Sequence, residues 1–262
     1  MSDPITAEEP TPASRPAFKG VKPDAVWRWL ELGWRDFRRA PVIGLAYGIG
    51  AVLASYAVCF GLVLGDKAEL LLPATGGFFL LAPLLVSGLY DVSRRLELGL
   101  PVSLSSALFA WRSSAQILLM GGVLLFIHVV WIRLALLLSA LFLHTTNPSL
   151  EKLLPLVFGS SRGLALLVVG TGLGGILALL SFYITAVSLP MIVDRDASVP
   201  DAIARSINAV NENVHAMALW AALIVVLTGI GIATAFIGLA IVVPVLAHAT
   251  WHAYRELVPR PA

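Results

Sequence analysis

Two histidines, His248 and His252, stand four residues apart in the stretch His-Ala-Thr-Trp-His-Ala-Tyr. On a helix that spacing puts both imidazoles on one face, where they can chelate a metal or ligate haem. No carboxylate or cysteine offers an obvious third ligand. Trp251 and Tyr254 lie beside them, so the same residues also suit the aromatic belt where a span meets water. The residues alone leave both readings open.

Arg133 is the one formal charge well inside an apolar stretch. A charge in that setting is costly and marks a functional position by default. Counted from Gln116, it lies about 25 Å along a helix, toward the outer face. It is expected to snorkel outward, to pair with Glu151, Asp66 or Glu69, or to bind an anion or a lipid head group. His128 lies five residues earlier, not quite on the same face, and reads as a packed side chain.

Gly170, Gly172 and Gly175 satisfy Gly-x-Gly-x-x-Gly, with Asp194 further on. A dinucleotide site needs a strand before the glycines and a soluble sheet around them. Here they sit in an uncharged apolar run and read as helix-packing residues, as do Gly44 and Gly48. Pro83, Pro190 and Pro244 each fall near the middle or inner end of an even-numbered span, where a kink can open a cavity. There is no Gly-x-Ser-x-Gly elbow, no His-Glu-x-x-His and no phosphate loop. No cofactor is implied, and the chain is not expected to be an enzyme. The basic residues are interrupted by acids and lie beside apolar runs, so nucleic acid is not an expected partner.

The elements that position these residues follow from composition. Of 262 residues, 58% are hydrophobic and 13% charged, against about 25% charged in a soluble domain. A span needs about 20 apolar residues. Six stretches qualify: 41–64, 70–90, 116–143, 163–193, 215–233 and 236–254. The last two form one uncharged run that must fold back, and Gly229, Gly231 and Thr234 offer the break. Residues 1–22 are polar and Pro-rich, an expected disordered tail without a signal-peptide core. Residues 23–258 make the expected membrane domain. Cys59, the one cysteine, sits in an apolar run and reads as a packing residue.

Lys and Arg set the expected orientation. Fourteen fall on one side: Arg15, Lys19, Lys22, Arg28, Arg35, Arg38, Arg39, Arg94, Arg95, Arg112, Arg195, Arg205, Arg255 and Arg260. Lys67, Lys152 and Arg162 fall on the other. Both termini are therefore expected in the cytoplasm. Trp27, Trp29, Trp34, Trp111, Trp220 and Trp251 fall near the same boundary, a depth that suits indole.

Three segments on that side have helical apolar spacing. In 24–39 the stripe is Val26, Leu30, Trp34 and Phe37, with Asp24 as a cap. In 104–111 it is Leu104, Leu108 and Trp111, after Ser103. In 201–214 it is Ile203, Ile207, Val210 and Val214, with Ser198 and Asp201 at capping-box spacing. Each reads as an amphipathic helix lying in the interface. Segment 149–158 reads as a shorter counterpart on the outer side. The expected fold class is all-α integral membrane, six transmembrane helices with cytoplasmic interfacial helices. Interfacial helix, span, span recurs three times. Pro83, Leu85, Arg94 and Leu96 echo Pro244, Leu246, Arg255 and Leu257. Ser87, Val92 and Arg94 echo Ser188, Val193 and Arg195. True triplication and shared membrane composition both produce such echoes.

Four blocks stand out. They are Trp34-Arg35-Asp36-Phe37-Arg38-Arg39-Ala40-Pro41 with Ala46-Tyr47-Gly48; Leu89-Tyr90-Asp91-Val92-Ser93-Arg94-Arg95-Leu96-Glu97; Leu189-Pro190-Met191-Ile192-Val193-Asp194-Arg195-Asp196; and His248-Ala249-Thr250-Trp251-His252-Ala253-Tyr254-Arg255. Together they resemble the bacterial DUF2189 family of predicted integral membrane proteins, over nearly all of residues 24–258. The resemblance implies a bacterial inner-membrane location and no established activity, and it brings no functional residues with it. A likeness to cytochrome oxidase subunit I does not fit. That subunit is a longer bundle with its histidine ligands inside its spans, whereas this chain has five histidines, with His144 and His215 at span ends.

The expected function is that of a non-enzymatic accessory or scaffold protein, with the lipid bilayer and another membrane protein as partners. The alternatives are a carrier or channel for a small solute or lipid, and a haem- or metal-binding redox accessory using His248 and His252.

Overall fold

The structure, a computed structural model, describes residues 20–110, 114–143 and 150–258. Most of the expected N-terminal tail lies outside them, as do Trp111, Arg112, His144 and Arg260. Among the described residues every regular element is helical. In chain order these are α1 (Ala25–Arg39), α2 (Pro41–Leu64), α3 (Leu71–Leu85), α4 (Ser87–Glu97), α5 (Leu104–Leu108) and α6 (Ala115–Leu143). They continue with α7 (Leu150–Phe158), α8 (Ser161–Thr185), α9 (Ser188–Arg195), α10 (Val199–Glu212), α11 (Val214–Ala233) and α12 (Leu239–Leu257).

Among the described residues four helical stretches are long and apolar enough to cross a membrane: Pro41–Leu64, Ala115–Leu143, Ser161–Arg195 and Val214–Ala233. The expected spans at 70–90 and 236–254 look different. The first is divided at Val86 into α3 and α4, with Pro83 in the turn before the break and Gly88 just after it. The second, α12, carries two histidines, an arginine and a glutamate in its second half. It tolerates them because α1, α2, α4 and α11 pack around it. The stretch at 163–193 is likewise interrupted, at Ala186–Val187 between α8 and α9. Pro190 is the third residue of α9, where its missing N–H removes no helical bond.

The hairpin before α12 turns at 234–238. Thr234 is part of it: its hydroxyl donates to the Gly231 carbonyl and accepts from the Gly238 N–H. Gly229 and Gly231 stay helical, and the left-handed residues are Ala235 and Phe236. Gly231 matters for another reason, since a Cβ there would lie 2.6 Å from Leu239 Cδ2.

The core gathers around the second half of α12. Trp29, Trp220, Trp251 and Tyr254 are fully buried. Trp29 and Trp220 meet edge to face, with ring centroids 5.8 Å apart. Trp27 and Trp34 are exposed, but Trp29, Trp220 and Trp251 are enclosed by protein. Trp29 donates its N–H to Glu256 and Trp251 to Glu97.

The amphipathic helices also differ in their faces. On α1 the buried stripe is Ala25, Val26, Trp29, Gly33, Asp36 and Phe37, while Trp34 points out and stacks on Phe37. Asp24 sits at the N-cap without a side-chain bond. On α10, Val199, Ala202, Ser206, Ala209 and Val210 are buried, whereas Val214 falls beyond it, at the start of α11, and is exposed. These helices turn their best face to the bundle rather than to lipid. The caps at Ser103 and Ser198 form as expected, each hydroxyl accepting an N–H three residues on.

Candidate functional site

Gly33 fixes the geometry of the most polar part of the interior. A Cβ there would lie 2.6 Å from Ala249 N and 2.7 Å from the Val245 carbonyl. Its absence lets α1 press directly onto the α12 backbone. Asp36, one turn further along α1, then reaches the face of α12 that carries His248 and His252.

The result is a connected set in which Asp36, Ser93 and His248 are buried and His252 is partly buried. His252 Nε2 lies 2.8 Å from Asp36 Oδ2. The Ser93 hydroxyl of α4 donates to the same oxygen at 2.9 Å. Ser93 Oγ is also 2.8 Å from His248 Nδ1. An ionised carboxylate only accepts, and a hydroxyl has one proton. With that proton directed to Asp36, Ser93 must accept from His248 Nδ1–H. His248 Nε2 is left buried with no partner. Burial alone pushes the Asp36 carboxyl up, but the His252 bond and charge, the Ser93 bond and the nearby His248 outweigh it. The group is held below its ordinary value.

A ring of ion pairs surrounds this junction. Asp91 accepts from Arg94 and Arg95. Glu97 accepts from Arg255 at 3.0 Å, and Asp194 accepts from the Tyr254 hydroxyl at 2.8 Å. Arg255 also reaches Asp194, at 3.6 Å. Arg28 pairs with Glu256. All four sequence blocks therefore meet at one end of the bundle: Asp36 from the first, Ser93 and Glu97 from the second, Asp194 from the third, and His248, His252 and Arg255 from the fourth.

That convergence bears on the histidine pair. His252 is directed at a carboxylate and His248 at a hydroxyl, which ties α1, α4 and α12 together. Among the described residues no three His, Cys, Asp or Glu side chains are grouped so as to hold a metal ion. Asp36 and Ser93 carried no chemical motif in the sequence. Asp36 stands between Arg35 and Phe37 in an arginine-rich stretch, where an acid reads as an ordinary surface charge, so its burial had no local signal.

A second feature lies away from the junction. A cavity of about 590 Å³ opens between α2, α3, α6 and the start of α12. On α2 it runs from Ala46 to Leu62, about 24 Å of helix. The hydroxyls in its wall are directed to backbone carbonyls: Tyr47 to Ala107, Ser55 to Ala51 and Thr75 to Leu71. Trp131 gives its indole N–H to the Pro73 carbonyl. The surface left facing the cavity is almost wholly apolar. His128 forms part of the wall, packed close to Gly77, with Nδ1 buried and unpartnered.

Arg133 is on neither feature. It is exposed on α6, roughly opposite the face that lines the cavity. Among the described residues no ion pair joins it to Asp66, Glu69 or Glu151. The glycine motif also differs from expectation. A Cβ at Gly170, Gly172 or Gly175 would meet nothing within 4 Å. The close approach is at Gly174, 2.9 Å from Trp131. Gly44 and Gly48 do pack closely, against Phe37 and Ala240.

Residues 71–194 match the DUF2189 family, described as predicted integral membrane proteins. The match runs from α3 into α9 and holds the second block and most of the third. No curated protein and no solved structure matches the chain. The chain is a multi-pass integral membrane protein.

Proposed function

We propose that this chain, matched over residues 71–194 to DUF2189, is a non-enzymatic accessory or scaffold protein that binds lipid or another membrane protein. One contrast supports the reading. The groups able to do proton chemistry are buried and turned on one another, while the cavity open to the surroundings is apolar. A buried, mutually bonded Asp–Ser–His set has no room for a substrate. It acts as a clasp between helices. A carrier for a polar solute would need a polar cavity converging on Arg133, and the cavity lies on another face.

In this reading α3 with α4, and α12, are the second and sixth spans. α12 has 19 residues, about 28 Å of helix, close to the hydrocarbon thickness. Six spans would leave both termini on one side; the arginine-rich end supports the cytoplasmic side, and the resemblance to DUF2189 supports a bacterial inner membrane. Reporter fusions at the two ends should both report cytoplasm. The repeat reading draws support from the matching breaks at Val86 and Val187, each followed by a serine and a short helix.

Affinity purification in a mild detergent, with mass spectrometry for lipids and proteins, tests the function. A stoichiometric lipid or one recurrent membrane protein is expected. Recovery of the bare chain from several mild detergents would remove the proposal.

A further inference from the structure

We infer that the cavity between α2, α3 and α6 holds one long hydrocarbon chain of a membrane lipid, acyl or isoprenoid, taken up sideways from the bilayer. The inference rests on the lipid-binding half of the proposed function and names its site. α2 packs mainly on α12 and touches α3 little, so the gap between the two opens laterally. It follows α2 for about 24 Å, the direction in which lipid chains lie beside a span.

The middle of the wall on the α2 side is built of small residues, Gly50, Ala51, Ala54 and Ser55, with Tyr47 before them and Val58 and Leu62 beyond. A Cβ at Gly50 would meet nothing within 4 Å. The cavity volume of about 590 Å³ corresponds to about twenty groups the size of a water molecule, which suits one long chain. A helix from a partner needs a channel about 10 Å wide, and over this length that exceeds the cavity. The hydroxyls of Tyr47, Ser55 and Thr75 are directed to carbonyls, so the wall offers a head group little. An empty apolar void would forfeit the dispersion contacts of its lining. Inside a bilayer a chain is the group at hand to restore them.

Photo-crosslinking of the full chain in proteoliposomes tests this. One arm uses phosphatidylglycerol with a diazirine near the acyl terminus, the other a diazirine-bearing isoprenoid alcohol. Adducts are mapped by peptide mass spectrometry. Adducts at Thr75, His128 or Ala135 are expected in at least one arm, and either arm supports the inference. In Gly50→Phe/Ala54→Phe these should fall at least about fivefold, because two rings occupy the space a chain needs. Adducts on the outward residues Phe126 and Leu137 should not change. Wall adducts no stronger than the outward background in both arms would overturn the inference, as would adducts unaffected by the two rings. If the wild-type wall stays unlabelled while lipid or a partner still copurifies, this site falls and the broader function stands. The wild-type map needs no variant, so a misfolded double variant does not blunt it.

Discussion

Asp36 Oδ2 and His252 Nε2 meet at 2.8 Å although 216 positions separate them in the chain. The contact joins the first helix to the last, and Ser93 adds α4 to the same oxygen. Asp36 is 2% exposed, and Ser93 and His248 are at 0%. At such burial the value of the cluster lies in its completeness, because each group depends on its partner.

Asp36→Asn keeps the shape and removes the charge. An amide then faces the Ser93 hydroxyl and the His252 ring, which both want an acceptor. Breaking a buried, hydrogen-bonded charge is expected to cost about 3 kcal/mol. Thermal unfolding in detergent should show a clearly lower midpoint, and limited proteolysis should show α1 released first. A midpoint equal to that of the wild type would mean that the clasp holds nothing.

Asp36 also sets an acid limit. Its folded-state pKa is below the ordinary carboxylate value. A depressed acid adds stability that is complete above the unfolded pKa, about 4. That stability is lost as pH falls through the lower folded value. Between pH 7 and 5 this group should contribute no slope, and the loss should begin below about pH 4. The acid limb should be shallower in Asp36→Asn when unfolding is followed against pH. An equal limb in both proteins would assign the acid sensitivity to other groups.

The glycines separate close approach from mere smallness. In Gly33→Ala the new methyl meets the Ala249 and Val245 backbone below 3 Å, and backbone cannot step aside. A loss of about 2 kcal/mol or more is expected, with α1 displaced from α12. Gly170→Ala meets nothing and should be neutral or raise stability by up to about 1 kcal/mol. Midpoints and yields of the two variants, compared side by side, decide the matter.

These residues also show what a sequence reveals in a membrane protein. The spans at 41–64, 116–143 and 215–233 were legible because they are apolar along their whole length, as a helix with a face toward lipid requires. α12 was harder to read. Its neighbours are protein, so polar residues are allowed wherever a partner exists. Asp36 and Ser93 were invisible as a site because their chemistry comes from meeting His252 and His248, and Gly33 brings that meeting about. The buried face of α1 was misjudged for the same reason: a glycine, rather than an apolar residue, marks its contact line. The cavity left no local signal, since Gly50, Ala51 and Ala54 look like any small-residue stretch until α3 is placed opposite.

Arg133 offers the sharpest contrast with that buried chemistry. It is exposed on α6 among Val129, Leu136 and Leu137, which are exposed too. An unpaired guanidinium on a lipid-facing stripe lowers the ease of insertion, by up to about 2.5 kcal/mol at mid-span and less near an end. No described residue pairs with it, so Arg133→Leu should leave the unfolding midpoint within about 0.5 kcal/mol of the wild type. If Arg133 holds an anionic head group, the wild type should retain phosphatidylglycerol over phosphatidylcholine in native mass spectrometry. Arg133→Leu should lose that preference, and Arg133→Lys should keep part of it, since the charge survives without the bidentate fork. Equal retention of the two lipids by the wild type would leave Arg133 as a side chain that snorkels to water. A large drop in stability in Arg133→Leu would instead point to an unsuspected protein partner for its charge.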